Sequence, residues 1–354
     1  MNEPAPWMLY GANGYTGRLI AEEATRRGMK PILAGRNRER VEALARELGC
    51  PSRVFALGDA AGVGEQLAGV RAVLHCAGPF SATAEPMMAG CLRAGVHYLD
   101  ITGEIPVIEA AAARHREAVD AGVALIPAVG FDVVPSDCLA AMLARRLPGA
   151  TQLLLAFTGT GTISPGTAKT MLEGLPHGGR VRVDNEITKV PAAWKSMEVP
   201  FREGLRTAVT IPWGDVASAW HSTGIPNIEV YLAMSRRQIR WLRRMRLLLP
   251  AFRLPLVQPV LRYGVRRFMV GPSAKERRVS RGSFWARVCD PEGNSVEATL
   301  QTPGGYTLTA LTALASLEKV LAGEAPAGFS TPSKAFGAEF ILGIPDTDFR
   351  CATE

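Results

Sequence analysis

Short apolar runs alternate with helical patterns through the first 130 residues of the chain. The runs are Trp7–Gly11, Pro31–Ala34, Arg53–Leu57, Ala72–Cys76, Tyr98–Ile101 and Val123–Pro127. Between them, Gly14–Arg27, Glu39–Leu48, Glu85–Ala94 and Val107–Ala121 read as helices. Each parallel crossover needs a covering helix, so this alternation predicts an α/β domain with a doubly wound parallel sheet. Most of the runs are continuous rather than alternating, as expected of strands buried on both faces.

From about residue 131 the rhythm changes. Longer stretches with partial alternation appear at Gln152–Thr158, Arg180–Thr188, Thr207–Ile211, Asn227–Met234, Phe284–Asp290 and Ser295–Thr302. They predict a second, α+β domain dominated by antiparallel pairing. Gly305–Leu321 is a last clear helix before a Pro/Gly-rich tail. The expected division is 1–130 for the parallel-sheet domain and 131–304 for an α+β substrate and dimerisation domain. Residues 305–354 then form a helix and tail that pack back on the first domain. A chain of 354 residues is long enough for this arrangement.

Charge changes the picture in one place. The net +7 is concentrated between Arg236 and Arg281, where fourteen Arg/Lys face one acid, Glu276, so the rest of the chain is net negative. Ile239, Leu242, Met245 and Leu249 recur there at helical spacing beside Arg236, Arg240, Arg243 and Arg244. Val257, Val260, Leu261, Val265 and Phe268 do the same beside Arg262, Arg266 and Arg267. Arg253 and three prolines interrupt the only apolar run, so no transmembrane helix is expected. Two basic amphipathic helices fit a peripheral contact with an anionic membrane surface, an acidic carrier protein or a lipid-like substrate. A cationic solvent face over a domain core, or a homodimer interface, fits the same pattern. Nucleic acid is not expected, because no recognised binding module accompanies the charge. Six cysteines without a CxxC pair argue against zinc and disulfides, and no secretory signal opens the chain, so a cytoplasmic protein without a metal site is expected.

The chemistry concentrates at the first strand–helix junction. Leu9–Gly17 reads Leu-Tyr-Gly-Ala-Asn-Gly-Tyr-Thr-Gly, with glycines at 11, 14 and 17 and Asn13, Tyr15 and Thr16 between them. One glycine makes a tight turn, one lets a pyrophosphate approach the backbone, and one allows close helix–strand packing. In its strand–turn–helix context this is the fingerprint of a Rossmann dinucleotide-binding domain. NAD sites place an acid at the end of the second strand to meet the ribose hydroxyl. This chain has Arg36 there, followed by Asn37, so a 2′-phosphate and hence NADP is expected. Asp59 falls where adenine contacts are usual, although it also reads as a helix cap. Ala77, Gly78 and Pro79 follow the fourth strand beside the switch point, where the nicotinamide half belongs.

Hydride chemistry at a nicotinamide is usually paired with a proton source. None of the six tyrosines has lysine four positions later, which excludes the YxxxK chemistry of short-chain dehydrogenases. Tyr98 on the fifth strand and Asp132 after the sixth are the preferred donors. Asp100 and Glu104 read more readily as caps of the following helix, and His177 as an incidental loop residue.

Gly11–Gly17, Ala34–Arg36, Ala77–Phe80, Tyr98–Glu104 and Gly130–Asp137 together resemble the saccharopine dehydrogenase-like oxidoreductase superfamily, nearest its trans-acting enoyl reductase branch. Where many members of that branch carry an SGGT run, this chain has Gly159-Thr160-Gly161-Thr162. The resemblance implies NADPH-dependent hydride transfer to a C=C (enoyl) or C=N bond of a hydrophobic small molecule or lipid-like substrate. The alternatives are a saccharopine-type amino-acid imine reductase, against which no arginine pair for substrate carboxylates is found, and a catalytically silent NADP(H)-binding sensor or interaction protein.

Overall fold

The computed structural model describes residues 6–159, 178–246 and 271–352, together with Ser164 and Gly166. The chain divides into two compact units: Met1–Val134 with Tyr306–Gly337, and Pro135–Gly305 with Ala338–Glu354.

The first unit is built on a parallel sheet of β1 (Trp7–Tyr10), β2 (Ile32–Gly35), β3 (Ser52–Val54), β4 (Ala72–His75), β5 (His97–Asp100), β6 (Ala124–Ile126) and the late strand β15 (Gly328–Phe329). Their order is β15-β6-β5-β4-β1-β2-β3, and every pairing is parallel. The order reverses between β1 and β4, which places the switch point at the ends of those two strands. Both are buried along their whole length, which explains their unbroken apolar runs. The crossovers carry α1 (Tyr15–Arg26), α2 (Arg38–Leu48), α3 (Ala60–Gln66), α4 (Phe80–Ala94), α5 (Ile105–Ala113) and α6 (His115–Asp120). The late helix α11 (Gly305–Leu321) adds Ala310, Ala313, Leu314 and Leu317 to the core formed by Leu9, Ile20, Leu33, Leu99 and Ile126.

The second unit carries a mixed sheet. It comprises β7 (Gln152–Thr158), β8 (Gly179–Val183), β9 (Glu186–Val190), β10 (Ser196–Phe201), β11 (Gly204–Thr210), β12 (Asn227–Ala233), β13 (Arg281–Cys289), β14 (Ser295–Pro303) and β16 (Asp348–Ala352). The main path runs β10-β11-β12-β7-β13-β14-β16, with β8 on β12 and β9 on β8. β12 and β7 are parallel and the other described pairs antiparallel. The described helices of this unit are α7 (Val134–Arg146), α8 (Asp215–Thr223), α9 (Arg236–Met245) and α10 (Ala274–Val279). Among the described residues no helix is long and apolar enough to cross a membrane.

Candidate cofactor and active site

β1 hands over to α1 through the glycine turn, and the three glycines are not equivalent. Gly11 has φ +84°, and a Cβ there would lie 2.7–2.9 Å from backbone atoms of Cys76 and Ala77. A Cβ at Gly17 would lie 2.3 Å from Gly11 O. Both positions are fixed by the fold itself. Gly14 has φ −76°, which any residue adopts, and a side chain there would meet only Gly11 O at 3.2 Å. Gly14 is the N-cap of α1, with no side-chain cap and no acid in the first helical turn. The positive end of the helix is therefore left to an external anion, as a pyrophosphate requires. Gly14→Val is expected to keep the fold and lose NADPH binding, because its side chain occupies the approach to the turn. Cofactor fluorescence titration with circular dichroism checks this; unchanged affinity in a folded variant rules the turn out.

At the end of β2, Arg36 is exposed and forms no ion pair among the described residues. Arg38 is engaged with Glu42 at 2.8 Å. Asn13 stands against Gly35, whose Cβ would lie 3.0 Å from Asn13 Oδ1. Asn37 caps α2 by accepting from Arg40 N at 3.0 Å, and Asp59 caps α3 by accepting from Gly62 N at 2.8 Å. Both expected cofactor contacts thus have one side-chain oxygen serving a helix N-terminus. Tyr10, whose hydroxyl donates to Phe55 O at 3.0 Å, is pushed up to about 12 by burial, opposed by the Arg36 charge.

At the ends of β4, β5 and β6 the acids take roles that local sequence does not reveal. The loop Ala77–Pro79 is held by Thr83 Oγ1, which donates toward Ala77 O at 2.6 Å and Pro79 O at 3.1 Å. His75 Nε2 lies 3.0 Å from the same hydroxyl, and burial pushes this histidine down to about 3, so it is neutral. Glu104 occupies the N-cap position of α5 without capping it. Its carboxylate instead accepts from Phe80 N and Ser81 N, both at 2.9 Å, and closes the N-terminus of α4. Buried Asp100 accepts from Thr102 N at 2.9 Å, Ala128 N at 2.8 Å and the Tyr98 hydroxyl at 2.6 Å. Burial raises Asp100 to about 6 against the pull of those bonds.

Tyr98, one of the two expected donors, is enclosed. Its side chain is 0% exposed, its hydroxyl is held by Asp100, and its acidity is shifted well above the usual phenol value by burial. The buried phenol thus serves the Asp100 carboxylate within the first unit.

Asp132 lies in the turn between β6 and α7, half-buried. It leans on the loop after β5, where a Cβ at Gly103 would lie 2.7 Å from its Oδ2. Desolvation pushes its carboxyl up to about 7, with the Glu104 charge adding to the shift. A large share of Asp132 is therefore protonated at neutral pH. His177 lies outside the described residues.

The basic segment is only partly described; Leu256–Met269 lies outside. In α9, Ile239 is buried with Ala193 and Val209, and Leu242 and Met234 pack beside them. Ile239 and Leu242 of the apolar stripe therefore face the unit's own core, and Leu249 lies outside the described residues. Arg236, Arg237, Arg240 and Arg244 face outward with Trp241, which is 59% exposed.

Residues 7–126 match the family described as the saccharopine dehydrogenase NADP binding domain. The trans-acting enoyl reductase of Mycobacterium tuberculosis (strain H37Rv) is 35% identical over 148 residues, which cover 39% of this chain and 35% of that protein. The human saccharopine dehydrogenase-like oxidoreductase is 31% identical over 154 residues, covering 38% and 36%. The matches thus span well under half the length of these curated relatives. Apo saccharopine dehydrogenase (L-Glu forming) from Saccharomyces cerevisiae shares the fold with a TM-score of 0.65 at 11% identity, over 99% of this chain and 100% of that one. The turn at Gly11–Gly17 and the arginine at the end of β2 thus lie within the stretch that matches the saccharopine dehydrogenase NADP binding domain.

Proposed function

We propose that the protein is an NADPH-dependent reductase that acts on a C=C or C=N bond of a hydrophobic, lipid-like small molecule, with Asp132 as the proton donor. The observation that carries this reading is the half-buried Asp132 carboxyl, raised to about 7 and placed on the same sheet edge as the glycine turn. The cofactor supplies the hydride when bound. Gly14 and the N-terminus of α1 would receive its pyrophosphate, and Arg36 its 2′-phosphate. Asp132 holds a proton that it gives to the atom left electron-rich by reduction. Glu104 keeps the start of α4 in place and, by its charge, favours the protonated form of Asp132.

The name of the M. tuberculosis relative supports the enoyl choice, and the saccharopine names support the imine alternative. NADPH deuterated on the transferring carbon distinguishes them. Deuterium on a carbon of a former C=C bond supports the enoyl reading; deuterium only on a former imine carbon overturns it.

The outward arginines of α9 support a peripheral contact with an anionic membrane surface. With Ile239 and Leu242 turned inward, the contact made by α9 is chiefly electrostatic, roughly 1 kcal/mol per basic residue near the surface and fading with salt. The protein is expected to co-sediment with phosphatidylserine-containing liposomes at low salt and to be released at high salt. Arg240→Gln with Arg244→Gln should weaken that binding and leave NADPH affinity unchanged. A wild type that ignores anionic liposomes at low salt ends the membrane reading.

A further inference from the structure

Tyr306, the second residue of α11, belongs to a Pro303-Gly304-Gly305-Tyr306 stretch that the function above leaves unused. Its ring meets that of Tyr15, the first residue of α1, edge to face, with centroids 4.9 Å apart and planes at 79°. Both tyrosines are half-buried. The next turns of α11 are fastened to the loop beyond β6: Phe131 N donates to Thr309 Oγ1 at 3.1 Å, and Thr312 Oγ1 donates to Val129 O at 2.8 Å. The start of α11 therefore bridges two loops of the sheet's C-terminal edge. One is the glycine turn after β1, and the other is the loop that carries Asp132. In the sheet order, β4, β5 and β6 lie on one side of β1, and β2 with Arg36 lies on the other. A dinucleotide across this edge puts its adenine half on the β2 side and its nicotinamide half on the β4 side.

We infer that Tyr306 is a further cofactor-binding residue, which with Tyr15 walls the stretch from pyrophosphate to nicotinamide of bound NADPH. The inference rests on the reading above that this unit holds NADPH. A ring held by an edge-to-face partner offers a rigid apolar wall that a flexible side chain does not. Contact at the nicotinamide end has a signature that a role in helix packing lacks. It affects NADPH, but not 2′,5′-ADP, which keeps the adenine and 2′-phosphate and lacks nicotinamide.

The test is titration of NADPH and 2′,5′-ADP into wild type, Tyr306→Ala and Tyr306→Phe, with thermal denaturation as the fold control. Tyr306→Ala should raise the NADPH Kd about five- to tenfold, and Tyr306→Phe should bind close to wild type. The Kd of 2′,5′-ADP should stay within about twofold for both variants. If Tyr306→Ala does not fold, Tyr306→Leu takes its place under the same criteria. NADPH affinity equal to wild type overturns the inference, and so does an equal loss for both ligands. A wild type that fails to bind NADPH overturns the cofactor reading itself, a result visible before any variant is made.

Discussion

Arg36→Asp is expected to weaken NADPH binding by about two to three orders of magnitude while changing NADH affinity far less. The guanidinium stands at the end of β2, exposed and without an acidic partner among the described residues. Replacing it removes a charge-assisted pair with the 2′-phosphate and puts a like charge in its place. Because no internal ion pair is broken, stability should be little affected. Calorimetric titration of both cofactors into both proteins reads the effect directly, and equal losses for NADPH and NADH would sink the assignment of Arg36.

Asp132→Asn is expected to lower kcat by about two to four orders of magnitude with little change in NADPH affinity. The pH dependence follows from the direction of the shift. A carboxyl raised to about 7 is protonated below that pH and loses its proton as pH climbs through it. Reduction needs the protonated form, so wild-type turnover should fall on the alkaline side of neutrality. Asparagine cannot donate the proton, so the variant's residual rate should lack that limb. An Asp132→Asn enzyme with an unchanged rate, or with the same alkaline limb, would remove Asp132 from the chemistry.

The parts of the candidate site whose placement in the fold was legible in sequence are those set by local structure. Gly11, Gly14, Gly17 and Arg36 lie at strand ends, where strand, turn and helix follow one another within a few residues. The parts that could not be read depend on distant partners. Glu104 stands at the N-cap of one helix and serves another, 24 residues earlier, because β4 and β5 are neighbours in the sheet. Tyr98 sits on a strand end that sequence marks as near a site, and only the packing of helices on both faces shows it to be enclosed. Asp59 carried two readings, and Gly62 N fulfils the cap. In α9 the helical spacing of Ile239 and Leu242 is as predicted, but no local pattern says that Val209 and Ala193 cover the stripe. Tyr306 and Tyr15 are separated by nearly the whole chain, so their contact appears only when α11 joins the first unit.

NADPH bound at this turn should be consumed in a reduction. Its most direct test follows NADPH absorbance as the purified wild type meets a panel of enones, imines and keto acids. Consumption is expected with an enone or an imine, with one equivalent of reduced product per NADPH, and it should be lost in Asp132→Asn. Tight NADPH binding with no consumption across the panel would contradict it, leaving a protein that binds the cofactor without using it.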